Sequence, residues 1–142
     1  MSTILQIANA DRNLSTLMKC FKNTDLEELL NGFGPFTILA PINLAFGNLE
    51  NLSLEDLLNP SNKEKLSDIL SFHILKEKRL LKDFMNGQKL TAINGKELLI
   101  TVKDGEVRIN NARILAKDRQ GSNGVVHSVD AVNLPANQLY KV

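Results

Sequence analysis

Tryptophan is absent from this sequence, and tyrosine and cysteine occur once each. With aromatics at 5% of residues, the chain has little from which to build the stacking platforms that hold single-stranded nucleic acid. One cysteine excludes an intrachain disulfide. Cys20 stands between Met18 and Phe21 on a helical pattern and reads as a buried thiol, with no histidine near it in sequence to act as a base. Charge of one sign is also lacking. Seventeen Lys and Arg against sixteen Asp and Glu leave a net charge of +1, so nothing global draws the chain to nucleic acid, an anionic membrane or an acidic substrate. No apolar run approaches the roughly 18 residues of a membrane span. The first twenty residues lack a basic start and a continuous apolar core, and Asp11 and Arg12 interrupt them; no signal peptide is expected there.

Catalytic and metal motifs are missing as well. Two histidines and one cysteine show no HxxxH, HExxH or CxxC spacing, so neither a metal nor a cofactor is expected. There is no GxSxG elbow, P-loop or GxGxxG. Gly32-Phe33-Gly34-Pro35 reads as a turn rather than a phosphate cradle, because Pro35 removes an N–H and a strand follows. The acid pairs Glu27-Glu28 and Glu55-Asp56 fall on solvated helix faces.

What is present fits one domain spanning residues 1–142, long enough to bury a core. The N-terminal half is helical. Thr3 to Ala10 reads as a short helix with Ile4, Ile7 and Ala8 inward. Leu14, Leu17, Met18 and Phe21 follow one helix face, with Asn13 placed to cap it. Thr24 to Glu27 is a capping-box pattern ahead of Leu26, Leu29, Leu30 and Phe33, and Gly32 is placed as a stop. Ser53 starts a helix with Leu54, Leu57 and Leu58, which Asn59-Pro60 ends. Ser61 to Glu64 is a further capping box, ahead of Leu66, Ile69, Leu70 and His73. A strand is expected near Phe72 to Leu75.

The C-terminal half changes to strand chemistry. Asn94-Gly95 separates Lys89–Ile93 from Glu97–Val102, and Asp104-Gly105 separates that run from Val107–Ile109. Both dipeptides accept positive φ, so a three-stranded antiparallel meander is predicted. Asn111–Ala116 and Val125–Leu134 supply more strand. Helices first and an antiparallel sheet later define the class as α+β.

Two apolar segments stand out: Phe36 to Phe46, FTILAPINLAF, and Asn123 to Pro135, NGVVHSVDAVNLP. Each reads as a buried strand leaving through a proline. His127 shares a strand face with Val125, Val129 and Ala131, while Asp130 points to the other face. A buried histidine with a hydrogen-bond partner is the reading, since burying it unpaired is costly. The densest basic stretch is Lys76 to Lys82, KEKRLLK, either a solvated hinge or a surface for an anionic polysaccharide, phospholipid or nucleic acid. Asn13-Leu14-Ser15 and Asn51-Leu52-Ser53 match the N-glycosylation pattern, with meaning only in a secreted eukaryotic protein.

FTILAPINLAF resembles the first motif of the fasciclin domain, close to FTVFAPTxxAF. NGVVHSVDAVNLP resembles the second, close to NGVIHVIDxVLLP, and Phe72-His73 stands where the family carries Tyr-His. The opening TILQIANADRNLSTLMKCF also resembles the family's start, so the likeness covers nearly the whole chain. It implies a wedge of about seven mainly antiparallel strands with N-terminal and central helices packed around it. It implies a generally non-enzymatic adhesion or interaction module, monomeric, with a cell-surface or matrix protein or a polysaccharide as partner. A secreted, periplasmic or cell-surface location follows from the same resemblance. The residues carried over as family motif or interaction positions are Phe36, Thr37, Ala40, Pro41, Asn43, Phe46, Phe72, His73, Asn123, Gly124, His127, Asp130 and Pro135. In some matrix members the Tyr-His region has been linked to integrin binding, which maps here to Leu70–Lys76. An alternative on the same fold is a carrier of a small apolar, carotenoid-like ligand. Three positions depart from the pattern. Ile42 replaces a capping Thr, so the cap shifts to Asn43 or is lost. Phe72 replaces Tyr and deletes a hydroxyl. Ser128 replaces an apolar residue and suggests a wetter face.

Overall fold

The computed structural model describes residues 2–49 and 53–135. The described residues form six α-helices and eight strands in α+β order. The helices are α1 (Ile4–Asn9), α2 (Ser15–Lys22), α3 (Leu26–Leu30), α4 (Asn43–Gly47), α5 (Leu54–Leu58) and α6 (Lys63–Ser71). The strands are β1 (Phe36–Pro41), β2 (Ile74–Leu75), β3 (Lys89–Thr91), β4 (Glu97–Lys103), β5 (Glu106–Ile109), β6 (Ala112–Arg113), β7 (Arg119–Gly121) and β8 (Gly124–Val129). Two four-stranded sheets result. Sheet A has the order β2-β1-β8-β7 and sheet B the order β3-β4-β5-β6. The expected meander is the first three strands of sheet B, and Asn111–Ala116 contributes only the short β6 at its edge.

The two apolar segments lie side by side. β1 pairs with β8 in parallel, from Phe36 opposite Gly124 to Pro41 opposite Val129. All other strand pairings are antiparallel. Every residue of β1 and β8 is buried. One apolar cluster joins the helices to Phe36, Ile38, Ala40, Ile74 and Val126. A second joins Leu39, Leu75 and Val129 to Leu90, Leu98, Ile100, Val107 and Ile109 of sheet B. Sheet A is therefore a middle layer with helices on one face and sheet B on the other. A strand covered on both faces reads as a continuous apolar run, which is the pattern of both segments.

Local signals at helix ends fared unevenly. Thr3 and Gln6 close a capping box on α1, and Ser53 and Asp56 close one on α5. Asn13 does not cap α2. It lies in a 3-10 turn, Arg12–Leu14, whose own cap is Asp11. The N–H of Thr16 is instead taken by Asn43 Oδ1 at 2.9 Å, from 27 residues away. The Thr24–Glu27 box is not formed; Thr24 Oγ1 donates to the Phe21 carbonyl and accepts from Leu26 N–H. The Ser61–Glu64 box is likewise absent, because Asn59 Oδ1 accepts from Ser61 N–H and a 3-10 turn, Pro60–Asn62, leads into α6. α3 stops at Leu30, so Phe33 falls outside it and is 99% exposed rather than inward.

Candidate functional site

The residues singled out by sequence are gathered around the β1–β8 pair, and the polar ones tie backbone to backbone. Phe36 N–H donates to the Asn123 carbonyl at 2.9 Å. Asn123 Nδ2 donates to the carbonyls of Leu30 and Gly32, and its Oδ1 accepts from Ile4 N–H. One buried side chain thus joins the start of α1 to the end of α3. Gly124 sits so close to β1 that a Cβ there would overlap the Phe36 carbonyl oxygen. Thr37 Oγ1 donates to the Glu77 carbonyl at 2.6 Å and accepts from Arg79 N–H at 2.9 Å. Ala40, Pro41, Phe46, Phe72 and Pro135 are buried. Asn43 serves α2 and the turn before it, bonding Thr16 N–H, the Arg12 carbonyl and Ser15 Oγ. With Ile42 at the N-cap of α4, that helix has no side-chain cap.

Both histidines are sealed. His127 is fully buried, and its Nδ1 accepts from Asp118 N–H at 3.1 Å. The ring proton is therefore on Nε2, which donates to the Arg79 carbonyl at 2.7 Å. The Phe84 ring meets it edge-on at 5.7 Å. His73 has the opposite tautomer. Its Nε2 accepts from Asn133 N–H at 2.9 Å, and Nδ1–H donates to the Ile69 carbonyl at 2.8 Å. Burial pushes the His73 pKa down to about 4, against the pull of the Ile69 carbonyl. Burial also lowers that of His127, opposed by the Arg79 carbonyl and the Asp118 carboxylate. Each ring is a neutral two-ended tie between chain segments far apart in sequence. Cys20 is buried too, and burial raises its thiol to about 11, far from a nucleophilic thiolate.

Asp130 lies just past β8, where Oδ1 accepts from Arg113 N–H. Ser128 does not make a wet face. It is buried, its Oγ accepts from Ala116 N–H, and its backbone pairs with Leu115 and Ala116. Sequence reading missed Asn133, whose N–H meets His73 and whose Nδ2 donates to the Ile109 carbonyl. It missed Asp118 as well, which holds Leu81 N–H at 2.7 Å. Both are loop Asx residues, the side chains best suited to bonding nearby backbone, but their partners lie in other segments. Asn51 of the second glycosylation pattern lies outside the described residues.

Among the described residues no cluster of three His, Cys, Asp or Glu is arranged to hold a metal ion. No helix among them is long and apolar enough to cross a membrane. A groove of about 340 Å³ lies between α1, α2 and α3, with Leu5 and Met18 lining it beside Asn9, Lys22, Glu27 and Asn31. Its lining is mixed and polar-rimmed, and a second groove of about 460 Å³ is lined by Phe46, Leu49 and Leu54 beside Thr16, Asn43 and Ser53.

An α+β domain with its two motif strands paired in the middle layer, and its motif side chains turned inward, is the class defined so far. The family model for the Fasciclin domain matches residues 12–135. A Synechocystis protein, sll1483, is 40% identical over 133 residues, which cover 94% of this chain and 73% of that one. Human periostin is 33% identical over 129 residues, covering 91% of this chain but only 14% of periostin. The structure of a FAS1 domain pair from the insect cell adhesion molecule fasciclin I superposes with a TM-score of 0.82. That match covers 96% of this chain and 52% of the pair at 18% identity, so it speaks for the fold alone. The chain belongs to the fasciclin-domain family.

Proposed function

We infer that this protein is a non-enzymatic interaction module that works at a cell surface or in an extracellular matrix, binding a protein or polysaccharide there. The observation that carries the reading is the state of its chemistry-bearing groups. The ring nitrogens of both histidines are bonded to backbone, and the one thiol is buried with a raised pKa. A group so held has no access to a substrate and serves the scaffold, which leaves the outer surface to do the work. Membership of the fasciclin-domain family, whose resemblance implies adhesion or interaction, supports the same direction. Phe72, at the centre of the region that the family resemblance ties to integrin, is buried against the second core, so a direct contact there has no support.

The test is fractionation of the source cells, with mass spectrometry of the native N-terminus, followed by binding of the purified protein to isolated surface and matrix material. Recovery outside the cytosol and saturable binding are expected. A protein found only in the cytosol, or one that binds no surface material, would sink the reading.

A further inference from the structure

Asparagine followed by glycine is open to spontaneous deamidation, because glycine puts no side chain in the way of its own backbone nitrogen. The chain carries this pair at Asn31-Gly32, Asn86-Gly87, Asn94-Gly95 and Asn123-Gly124. In the reaction the glycine nitrogen attacks the asparagine Cγ, so the side-chain amide must be free to swing over its own backbone. The fold allows that movement unequally.

Asn123 is buried, and its side chain is bonded to the Leu30 and Gly32 carbonyls and to Ile4 N–H. Asn94 is half-buried. Its Nδ2 donates to the carbonyl and the carboxylate of Asp68, and its Oδ1 accepts from Lys96 N–H. Asn86 is exposed and has one tie, Oδ1 accepting from Val102 N–H at 2.9 Å. The Asn31 side chain is exposed and makes no hydrogen bond among the described residues. The glycine amides favour the same order. Gly87 N–H donates to the Ile100 carbonyl at 2.8 Å and Gly95 N–H to the Ala92 carbonyl at 2.9 Å, both against sheet B. Gly32 N–H donates to the Leu29 carbonyl at 3.0 Å, but at the end of the five-residue α3, where a terminal turn opens most easily. Asn31 N–H is shared there between the Glu27 and Glu28 carbonyls at 3.2 and 3.3 Å.

We propose that Asn31-Gly32 is a site of spontaneous deamidation in the folded protein, and that the four pairs convert in the order Asn31, Asn86, Asn94, Asn123. Gly32 N gives its proton to hydroxide and bonds to Asn31 Cγ. The Cγ–Nδ2 bond then breaks, ammonia leaves and a succinimide remains. Water opens that ring at either carbonyl, to aspartate or to isoaspartate. In sum, an amide and water become a carboxylic acid, which ionises, and ammonia; nothing is oxidised or reduced. The new carboxylate stands at the C-terminal end of α3, the negative end of the helix dipole, on the same turn as Glu27 and Glu28. Asn31 also lines the groove between α1, α2 and α3, so conversion adds a negative charge to that groove.

The test incubates the intact protein at mildly alkaline pH and follows each pair by peptide mass spectrometry after digestion at acidic pH. Each further tie on the side chain, at the net worth of an ordinary hydrogen bond, should slow conversion about fivefold. Asn31 should therefore lead Asn86 by about fivefold and Asn94 by more, and Asn123 should convert no faster than the chain unfolds. In concentrated urea the ties are gone, and the four rates should fall within about threefold of one another. Conversion at Asn86 or Asn94 as fast as at Asn31 in the folded protein overturns the proposal, as does no conversion at Asn31. The same order and spacing in urea also overturns it, because neighbouring sequence rather than the fold would then set the rates. Asn31→Asp, which carries the charge of the product, should melt about 2 °C below the parent at low salt. Equal melting overturns the effect on α3.

Discussion

The central strands of sheet A and the strands of sheet B use their side chains in opposite ways. β1 and β8 are buried throughout, while β4 alternates exposed and buried along most of its length. In sheet B, polar residues such as Thr101 and Arg108 are exposed, and Arg108 pairs at the surface with Glu106 on its own strand. In β1 and β8 no face is open, so each polar side chain needs a fixed partner. Thr37 and His127, with Asn123 just before β8, meet that need by bonding the backbone of distant loops and helix ends. Polar residues that look like a site within a buried strand act here as ties.

The sharpest way to break this contrast is Gly124→Ala. The added methyl would overlap the Phe36 carbonyl and force β1 from β8, and a cost of about 4 kcal/mol or more is expected. Circular dichroism should show little or no folded protein; a melting curve like that of the parent would refute the close packing.

His127→Ala comes next. It leaves the Arg79 carbonyl and Asp118 N–H without their partner and opens a cavity beside Phe84, for a loss of about 3 kcal/mol. An unchanged melting temperature would mean that the ring is no tie.

Acid should act through the same ties. His73 has a folded pKa near 4, and an unfolded histidine titrates near 6.5. Between these values the unfolded chain binds the proton and the folded one does not. The stabilisation is complete above about pH 6.5 and fades as pH falls toward 4, amounting to about 2 kcal/mol lost by pH 5. His127 is shifted in the same direction and adds to the trend. Denaturant midpoints measured from pH 7.5 to 4.5 test this. A flat profile over that range, or a profile no flatter in His73→Gln, would contradict it.

The smallest effect is expected in sheet B. Leu99, 47% exposed on β4, should accept Thr with a change within about 0.5 kcal/mol. A loss as large as that at His127 would erase the distinction between the sheets.

Much of this architecture is legible in local sequence. The Asn94-Gly95 and Asp104-Gly105 turns mark the hairpins because turn geometry depends on the turn residues themselves. The helix starts at Thr3 and Ser53 are legible too, although the capping boxes that close there were not read from the sequence. Asn13 failed as a cap because a distant group, Asn43, serves α2, whereas the Thr24 and Ser61 boxes gave way to near groups, the Phe21 carbonyl and Asn59. Phe33 was misplaced because hydrophobic spacing continues through a helix end that Asn31 and Gly32 impose. The roles of Asn133 and Asp118 were not legible, since their partners come from other parts of the chain.

By itself, the sequence determined the α+β order, the hairpins, the absence of a disulfide and the two buried runs. Periodicity, turn chemistry and composition act over a few residues and can be read there. Only the tertiary structure decided that the two runs pair in parallel, that the histidines are neutral ties, and that Lys76–Lys82 is tied to Asp118 through Leu81 and His127. Those facts depend on which distant backbone groups are left needing a partner once the layers close, and no local pattern encodes that.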